Sequence, residues 1–176
     1  MAAPDLTHNT AHLFSSGKQA PLHPLPPFTE ETAKQKVKAA QDKWNTCNPQ
    51  LVSPAYTHDS LWRNRDEFFS GREAIEAFLR RKWDKEHNYR LRKELFCFQD
   101  NKIAVEFWYE YSESDDPCSQ WYRTYGLEHW VFGPDGRMSS RQMSGNTIPI
   151  NNVERWFKDG VDVNDGDVLP GHISRK

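Results

Sequence analysis

A chain of 176 residues and 20.6 kDa is the size of one domain and too short for two independent hydrophobic cores. Its 23 Lys and Arg against 25 Asp and Glu leave a net charge of −2, which supplies no bulk field for a nucleic-acid backbone or an anionic membrane, so neither is an expected partner. No run approaches the roughly 20 apolar residues that cross a bilayer, no apolar secretory signal opens the chain, and Cys47, Cys97 and Cys118 lack the close spacing of zinc pairs or a disulfide framework; the expectation is a soluble protein of the cytoplasm or another intracellular compartment.

Residues 1–27 contain Pro4, Pro21, Pro24, Pro26 and Pro27 and a single aromatic residue, Phe14, which is too little apolar surface to fold alone. This segment reads as a flexible Pro-rich arm, or one that wraps the domain. Thr29 is placed to cap a helix in which Ala33, Val37, Ala40, Trp44 and Cys47 recur every three or four residues. Asn48-Pro49 ends it, and a strand is expected over Tyr56–Arg63. The stretch from Asn64 to Phe69 fits no single pattern. Ser70-Gly71-Arg72-Glu73 reads as a capping box, followed by a helix to about Glu86 with Ala74, Ile75, Phe78, Leu79 and Trp83 on its apolar side.

The hydrophobic period then changes from about 3.6 to 2. Strands are expected over Tyr89–Phe98, Lys102–Tyr111, Ser119–Phe132 and Arg137–Ile148, separated by short turns that join antiparallel neighbours. Asn152 to Phe157 predicts a helical turn anchored by Trp156 and Phe157, and residues 158–176 a loosely held tail. Helix, strand, helix and a four-stranded meander make an α+β fold, with helices on one face of a curved antiparallel sheet. Such a sheet encloses a pocket.

This order resembles the nuclear transport factor 2-like superfamily, also called SnoaL-like. Phe68-Phe69-Ser70-Gly71-Arg72-Glu73-Ala74-Ile75, Lys82-Trp83, Tyr89-Arg90-Leu91, Ile103-Ala104-Val105 and Trp121-Tyr122-Arg123-Thr124-Tyr125-Gly126 are similar to the DUF1348 family over residues 28–150, with 151–176 as a C-terminal extension. The resemblance implies a cone-shaped barrel with a ligand cavity, and a homodimer packed through the sheet. It implies no settled reaction. Where the family commonly reads Tyr-Gly-Asn-Glu and Ser-Ile-Asn-Asp, this chain has Tyr125-Gly126-Leu127-Glu128 and Ser144-Gly145-Asn146-Thr147, so an amide has become Leu127 and a carboxylate Thr147.

Alternation splits Glu128, Trp130 and Phe132 from Leu127 and His129. Two large rings on one face need burial, so the set containing Glu128 is expected to face the pocket. A carboxyl group on that apolar wall would be raised in pKa by desolvation and could act as general acid or base; the alternative is a carboxylate paired to Arg123 or Arg141 that ties strands together. His58 and His129 are the other acid–base candidates, because imidazole titrates near neutrality. Arg141 and Arg63, with Arg72, offer forked donors for a carboxylate or enolate, and Tyr56, Tyr109 and Tyr125 hydroxyls for an oxyanion. Trp44, Trp62, Trp83 and Trp130 supply hydrophobic walls, and Asn146 a polar contact. No phosphate loop, dinucleotide fingerprint, nucleophile elbow or metal pair is present, so no cofactor and no metal are expected. Two functions follow. One is a cofactor-independent lyase or isomerase that moves a proton beside the carbonyl of a small hydrophobic or aromatic compound. The other is a non-catalytic module that binds a ligand or a protein.

Overall fold

In the computed structural model, which describes residues 19–170, Thr29 caps the first helix as its position predicts. Its hydroxyl accepts the Thr32 amide while the Thr32 hydroxyl accepts the Thr29 amide, a reciprocal box for two free first-turn donors. Helix α1 (Glu30–Asn45) buries Ala33, Val37 and Trp44, together with Lys36 and Gln41. Lys36 Nζ donates to the Leu22 and Gly136 carbonyls, both at 2.7 Å, and so ties the arm over 19–27 to the turn at Gly136. The expectation for residues 1–18 of the arm, like that for 171–176, lies outside the described residues.

A short helix α2 (Pro49–Val52) and a 3-10 turn (Ser53–Ala55) lead into β1 (Tyr56–Asn64). The ambiguous stretch after it is a hairpin, with β2 (Glu67–Ser70) antiparallel to β1. Helix α3 (Arg72–Trp83) lacks the expected capping box. Ser70 is still engaged with Leu61 in the strand ladder, and Gly71 donates to the Ser60 carbonyl. The turn therefore falls on Gly71 at φ 87°, a conformation open to glycine, and no side chain caps the helix.

The meander follows as β3 (His87–Gln99), β4 (Lys102–Ser112), β5 (Trp121–Phe132) and β6 (Met138–Ile150). Short turns made the antiparallel neighbours predictable. The long-range closure was not: β6 pairs with β1 in parallel, giving the order β2-β1-β6-β5-β4-β3. Strands β2 and β3 remain edges, so the curved sheet is an open cone and does not close into a barrel. The core lies between its concave face and the helices, built from Val37, Trp44, Trp62, Ile75, Leu79, Phe107 and Trp130 among others. Opposite Phe107 in the β4–β5 ladder is Gly126. A Cβ there would lie 1.9 Å from Phe107 Cζ, so the ring occupies the space a side chain would need.

The expected turn after β6 is a short 3-10 helix (Asn152–Glu154), while residues 158–170 depart from the expected loose tail. Trp156 and Phe157 lead a strap across the outer face of the sheet, where Phe157, Val163 and Leu169 are buried with Trp108. Its anchor is Glu110, which is fully buried and accepts the amides of Trp156 at 2.9 Å and Phe157 at 3.0 Å and the Arg123 Nε at 2.8 Å. Arg90 and Arg92 of β3 donate to strap carbonyls further along. Apolar anchors plus a buried carboxylate outweigh the Gly- and Asp-rich composition that suggested a free end.

Two outcomes test this packing. Glu110→Gln should destabilise the protein by about 3–5 kcal/mol, the usual cost of breaking a buried ion pair, and raise hydrogen exchange in 155–170 before the rest of the sheet. Gly126→Ala should cost about 1–3 kcal/mol in denaturant unfolding, because the Phe107 ring must leave its place.

Candidate functional site

Strand alternation puts Glu128 on the concave face, between Trp130 and Gly126, and burial there is nearly complete. Its carboxylate is saturated. Oε2 accepts Lys93 Nζ at 2.7 Å and Trp130 Nε1 at 2.8 Å; Oε1 accepts Arg141 Nη2 at 2.5 Å and Arg141 Nε at 3.2 Å. Arg141 Nη1 continues to Asn64 Oδ1 at 3.3 Å. One charged line thus joins β3, β5, β6 and β1.

The protonation expected for Glu128 is reversed. Burial by itself would raise its pKa, but the Arg141 and Lys93 charges and their hydrogen bonds outweigh that and hold it down to about 2. It is an ionised acceptor, with no free position from which to donate a proton. The group moved toward neutrality is Lys93. Burial lowers its pKa to about 8, with Arg141 adding to the effect and Glu128 opposing it.

Donors outnumber acceptors in this cluster. An ammonium has three N–H groups and a guanidinium five. Lys93 Nζ uses one, on Glu128, and otherwise faces the rings of Phe107 at 4.7 Å, Trp130 at 5.5 Å and Trp44 at 5.6 Å. Arg141 uses three and lies between the rings of Trp62 at 4.5 Å and Trp44 at 4.9 Å. Trp62 Nε1 is buried with no partner among the described residues. Two cations against one carboxylate leave one uncompensated positive charge, with spare N–H groups, among aromatic faces. Chemically, this arrangement suits an acceptor oxygen that carries or develops negative charge.

Two openings flank the cluster. A groove of about 370 Å³ between α1 and the β3 edge is lined by Val37, Gln41, Lys93 and Leu95. A mouth cavity of about 210 Å³ between the β1–β2 turn and the C-terminal half of α3 has Asn64, Phe78 and Tyr109 in its walls. Asn64 is common to this mouth and the buried line. Among the described residues no three His, Cys, Asp or Glu side chains come close enough to hold a metal ion.

The structure brings Trp44, Tyr56, Trp62, Trp130 and Arg141 together around Glu128. Trp44 Nε1 donates to the Tyr56 hydroxyl at 3.4 Å, and burial pushes that phenol up to about 12. Trp83 packs edge-on against Trp44 and Tyr89, and Tyr109 lies under Lys82 Nζ at 4.2 Å. Other candidates are elsewhere. His58 is exposed and borders a separate groove beside Arg72 and Arg137. His129 and Asn146 are exposed on the outer face, and Arg63 reaches across that face to Ser144 Oγ at 3.0 Å. Of the two departures from the family pattern, Leu127 is on the outer face, 57% exposed, and Thr147 sits where its hydroxyl meets Thr124 at 2.8 Å and Arg65 at 2.6 Å.

Lys93 and Asn64 were missed by sequence reasoning. A signal for Lys93 existed: it shares the period-2 face of Tyr89, Leu91 and Leu95. Its partner lies 35 residues away, so the reason for a lysine on that face is not local.

No curated protein matches this sequence. Similar solved structures include the epoxide hydrolase/cyclase-like enzyme SalBIII of pyran ring formation in the polyether salinomycin, at 16% identity and a TM-score of 0.58, covering 66% of this chain and 92% of that one. A SnoaL-like polyketide cyclase from Shewanella denitrificans OS-217 matches at 15% identity and TM-score 0.55, over 64% of this chain and 90% of that one. A SnoaL-like protein of unknown function from Burkholderia thailandensis E264 matches at 16% and 0.54, over 68% and 99%. At these identities the likeness is one of fold, and the fold is nuclear transport factor 2-like, of the SnoaL type. The family described as "Protein of unknown function (DUF1348)" matches residues 26–158, and this chain is a member of it.

Proposed function

We propose that the cone binds a small hydrophobic or aromatic carbonyl compound and moves a proton beside its carbonyl without a cofactor, as a lyase or isomerase. The observation that carries this reading is the buried surplus of N–H donors on Lys93, Arg141 and Trp62 around an ionised Glu128. In the proposed step the neutral Lys93 amine takes a proton from the carbon next to the carbonyl. The C–H electron pair becomes the C=C bond of an enolate, and the negative charge gathers on oxygen, where the spare N–H groups of Arg141 receive it. Lys93 then returns the proton to carbon. Glu128 positions both cations and is not itself the proton carrier.

A non-catalytic binding module is the second reading, favoured by one feature: Glu128 has every acceptor position filled, as a structural tie would. Family resemblance also implies a homodimer packed through the sheet. The strap covers the outer face beside Trp108 but leaves Leu127 exposed, so we place the pairing surface on the β5–β6 half.

Deuterium incorporation into acetophenone in D2O, followed by proton NMR, separates the two functions. A proton-transfer enzyme accelerates it, with a rate that rises with pH and levels off above about 8 as Lys93 becomes neutral. Lys93→Met should then lose about 10²–10⁴-fold; exchange no faster than in buffer, with acetophenone still bound, would support the binding module. Glu128→Gln should be less stable than the parent at neutral pH. Because the folded carboxyl is depressed from 4.5 to about 2, its contribution is complete above 4.5 and disappears as pH falls toward 2, so the gap between the two proteins should close across that window. Sedimentation of Leu127→Asp should show monomer where the parent shows dimer; a monomeric parent would contradict the pairing surface.

A further inference from the structure

We infer that the mouth of the cone receives the anionic end of its ligand, a carboxylate on a single-ring or short-chain apolar body, with Arg65 and Lys85 as the receiving charges and Thr147 as the residue that keeps Arg65 available. This rests on the reading above that the cone holds a small molecule, and adds the chemical class of that molecule.

Four cations and two carboxylates border the mouth cavity. Arg81 pairs with Glu67 at 3.0 Å, and Lys82 pairs with Glu86. Arg65 and Lys85 have no carboxylate partner among the described residues. The local excess is therefore positive in a protein whose net charge is −2; the groove beside α1 also has four cations and two carboxylates, but each of its cations is ion-paired, so the unpaired excess lies at this opening. Behind the wall formed by Asn64 lies the further uncompensated charge of the Lys93–Glu128–Arg141 cluster.

Arg65 is fixed in place. It occupies the β1–β2 turn at φ 58°, an uncommon backbone region for a residue with a side chain. Its amide donates to the Met143 carbonyl at 3.0 Å, while its guanidinium donates to the Gly145 carbonyl and to Thr147 Oγ1 at 2.6 Å. Both guanidinium partners are neutral, so they orient the fork without cancelling its charge. A carboxylate at position 147 would cancel it.

The remaining walls set the body of the ligand. Phe78 and Tyr109 supply the apolar part of the lining, with Arg81 over the Phe78 ring at 5.8 Å and Lys82 Nζ over the Tyr109 ring at 4.2 Å. At about 210 Å³ the cavity is smaller than the 300–1,000 Å³ usual for drug-sized ligands, which selects one ring or a short chain. An anion held at the rim would leave the opposite end of the ligand directed at Asn64.

Benzoate and its neutral isostere benzamide, titrated into the full chain by calorimetry and by NMR of the arginine Nε–H groups, test the inference. Benzoate should bind about tenfold or more tightly than benzamide and shift the Arg65 Nε–H signal, since a charge-assisted hydrogen bond is worth at least that factor. Thr147→Asp should abolish that preference while the thermal midpoint stays level or rises, because an ion pair replaces a neutral contact. Lys85→Met should weaken benzoate without affecting benzamide. Equal binding of the two probes, or full benzoate affinity in folded Thr147→Asp, would overturn the anion site while leaving the cone a binding site. No proton exchange on acetophenone together with the predicted benzoate preference would overturn the catalytic reading and keep the anion site. Failure of both probes to bind at millimolar concentration would overturn the anion site, and, together with no proton exchange on acetophenone, the small-molecule reading as well.

Discussion

A single buried carboxylate shared by two buried cations organises the interior of this protein. Glu128 joins Lys93 on the edge strand β3 to Arg141 on β6, and Arg141 reaches Asn64 on β1. Taking ions of this kind out of water costs several kcal/mol each, and the cost is recovered only when the geometry is good and the remaining lone pairs are satisfied. Glu128 meets that condition on the acceptor side. The cations do not, and aromatic faces stand in for acceptors: Trp44 and Trp62 enclose Arg141, while Phe107 and Trp130 lie beneath Lys93. Cation–ring attraction offsets part of the desolvation but does not use up N–H groups. This imbalance makes the floor of the cone chemically distinct from an ordinary core.

The sheet has a second buried carboxylate with a different task. Glu110 on β4 and Glu128 on β5 lie on opposite faces, since side chains alternate along each strand. Glu110 meets Arg123 directly across the ladder and accepts two backbone amides of the strap, which gives that segment a fixed attachment. The two carboxylates keep their work apart: one holds the outer covering, the other the polar floor. Since the strap covers only part of the outer face, Leu127 stays exposed.

Much of the architecture was legible because it follows from local chemistry. Thr29 caps α1, the change of period after Glu86 marks the start of the meander, and the rings of Trp130 and Phe132 assigned the concave face of β5. Where local chemistry misled, a neighbouring strand had prevailed. Ser70 does not cap α3 because it is still held by Leu61 in the ladder. The extension looked loose by composition, yet its few apolar anchors met Trp108 and Glu110 on a sheet it could not be known to cross.

The candidate site divides the same way. Sequence alone determined which residues share a face of one strand, and so grouped Glu128 with Trp130 and Phe132; that this face turns inward was an expectation drawn from the two rings. Only the tertiary structure decided which charges meet and what state they take. A carboxyl on an apolar wall is raised in pKa, the same carboxyl between Lys93 and Arg141 is lowered, and the difference lies in contacts of 2.7 and 2.5 Å made to the two other strands β3 and β6. Coulomb energy depends on distance through space and on local desolvation, and neither is encoded in the spacing of residues along a single strand.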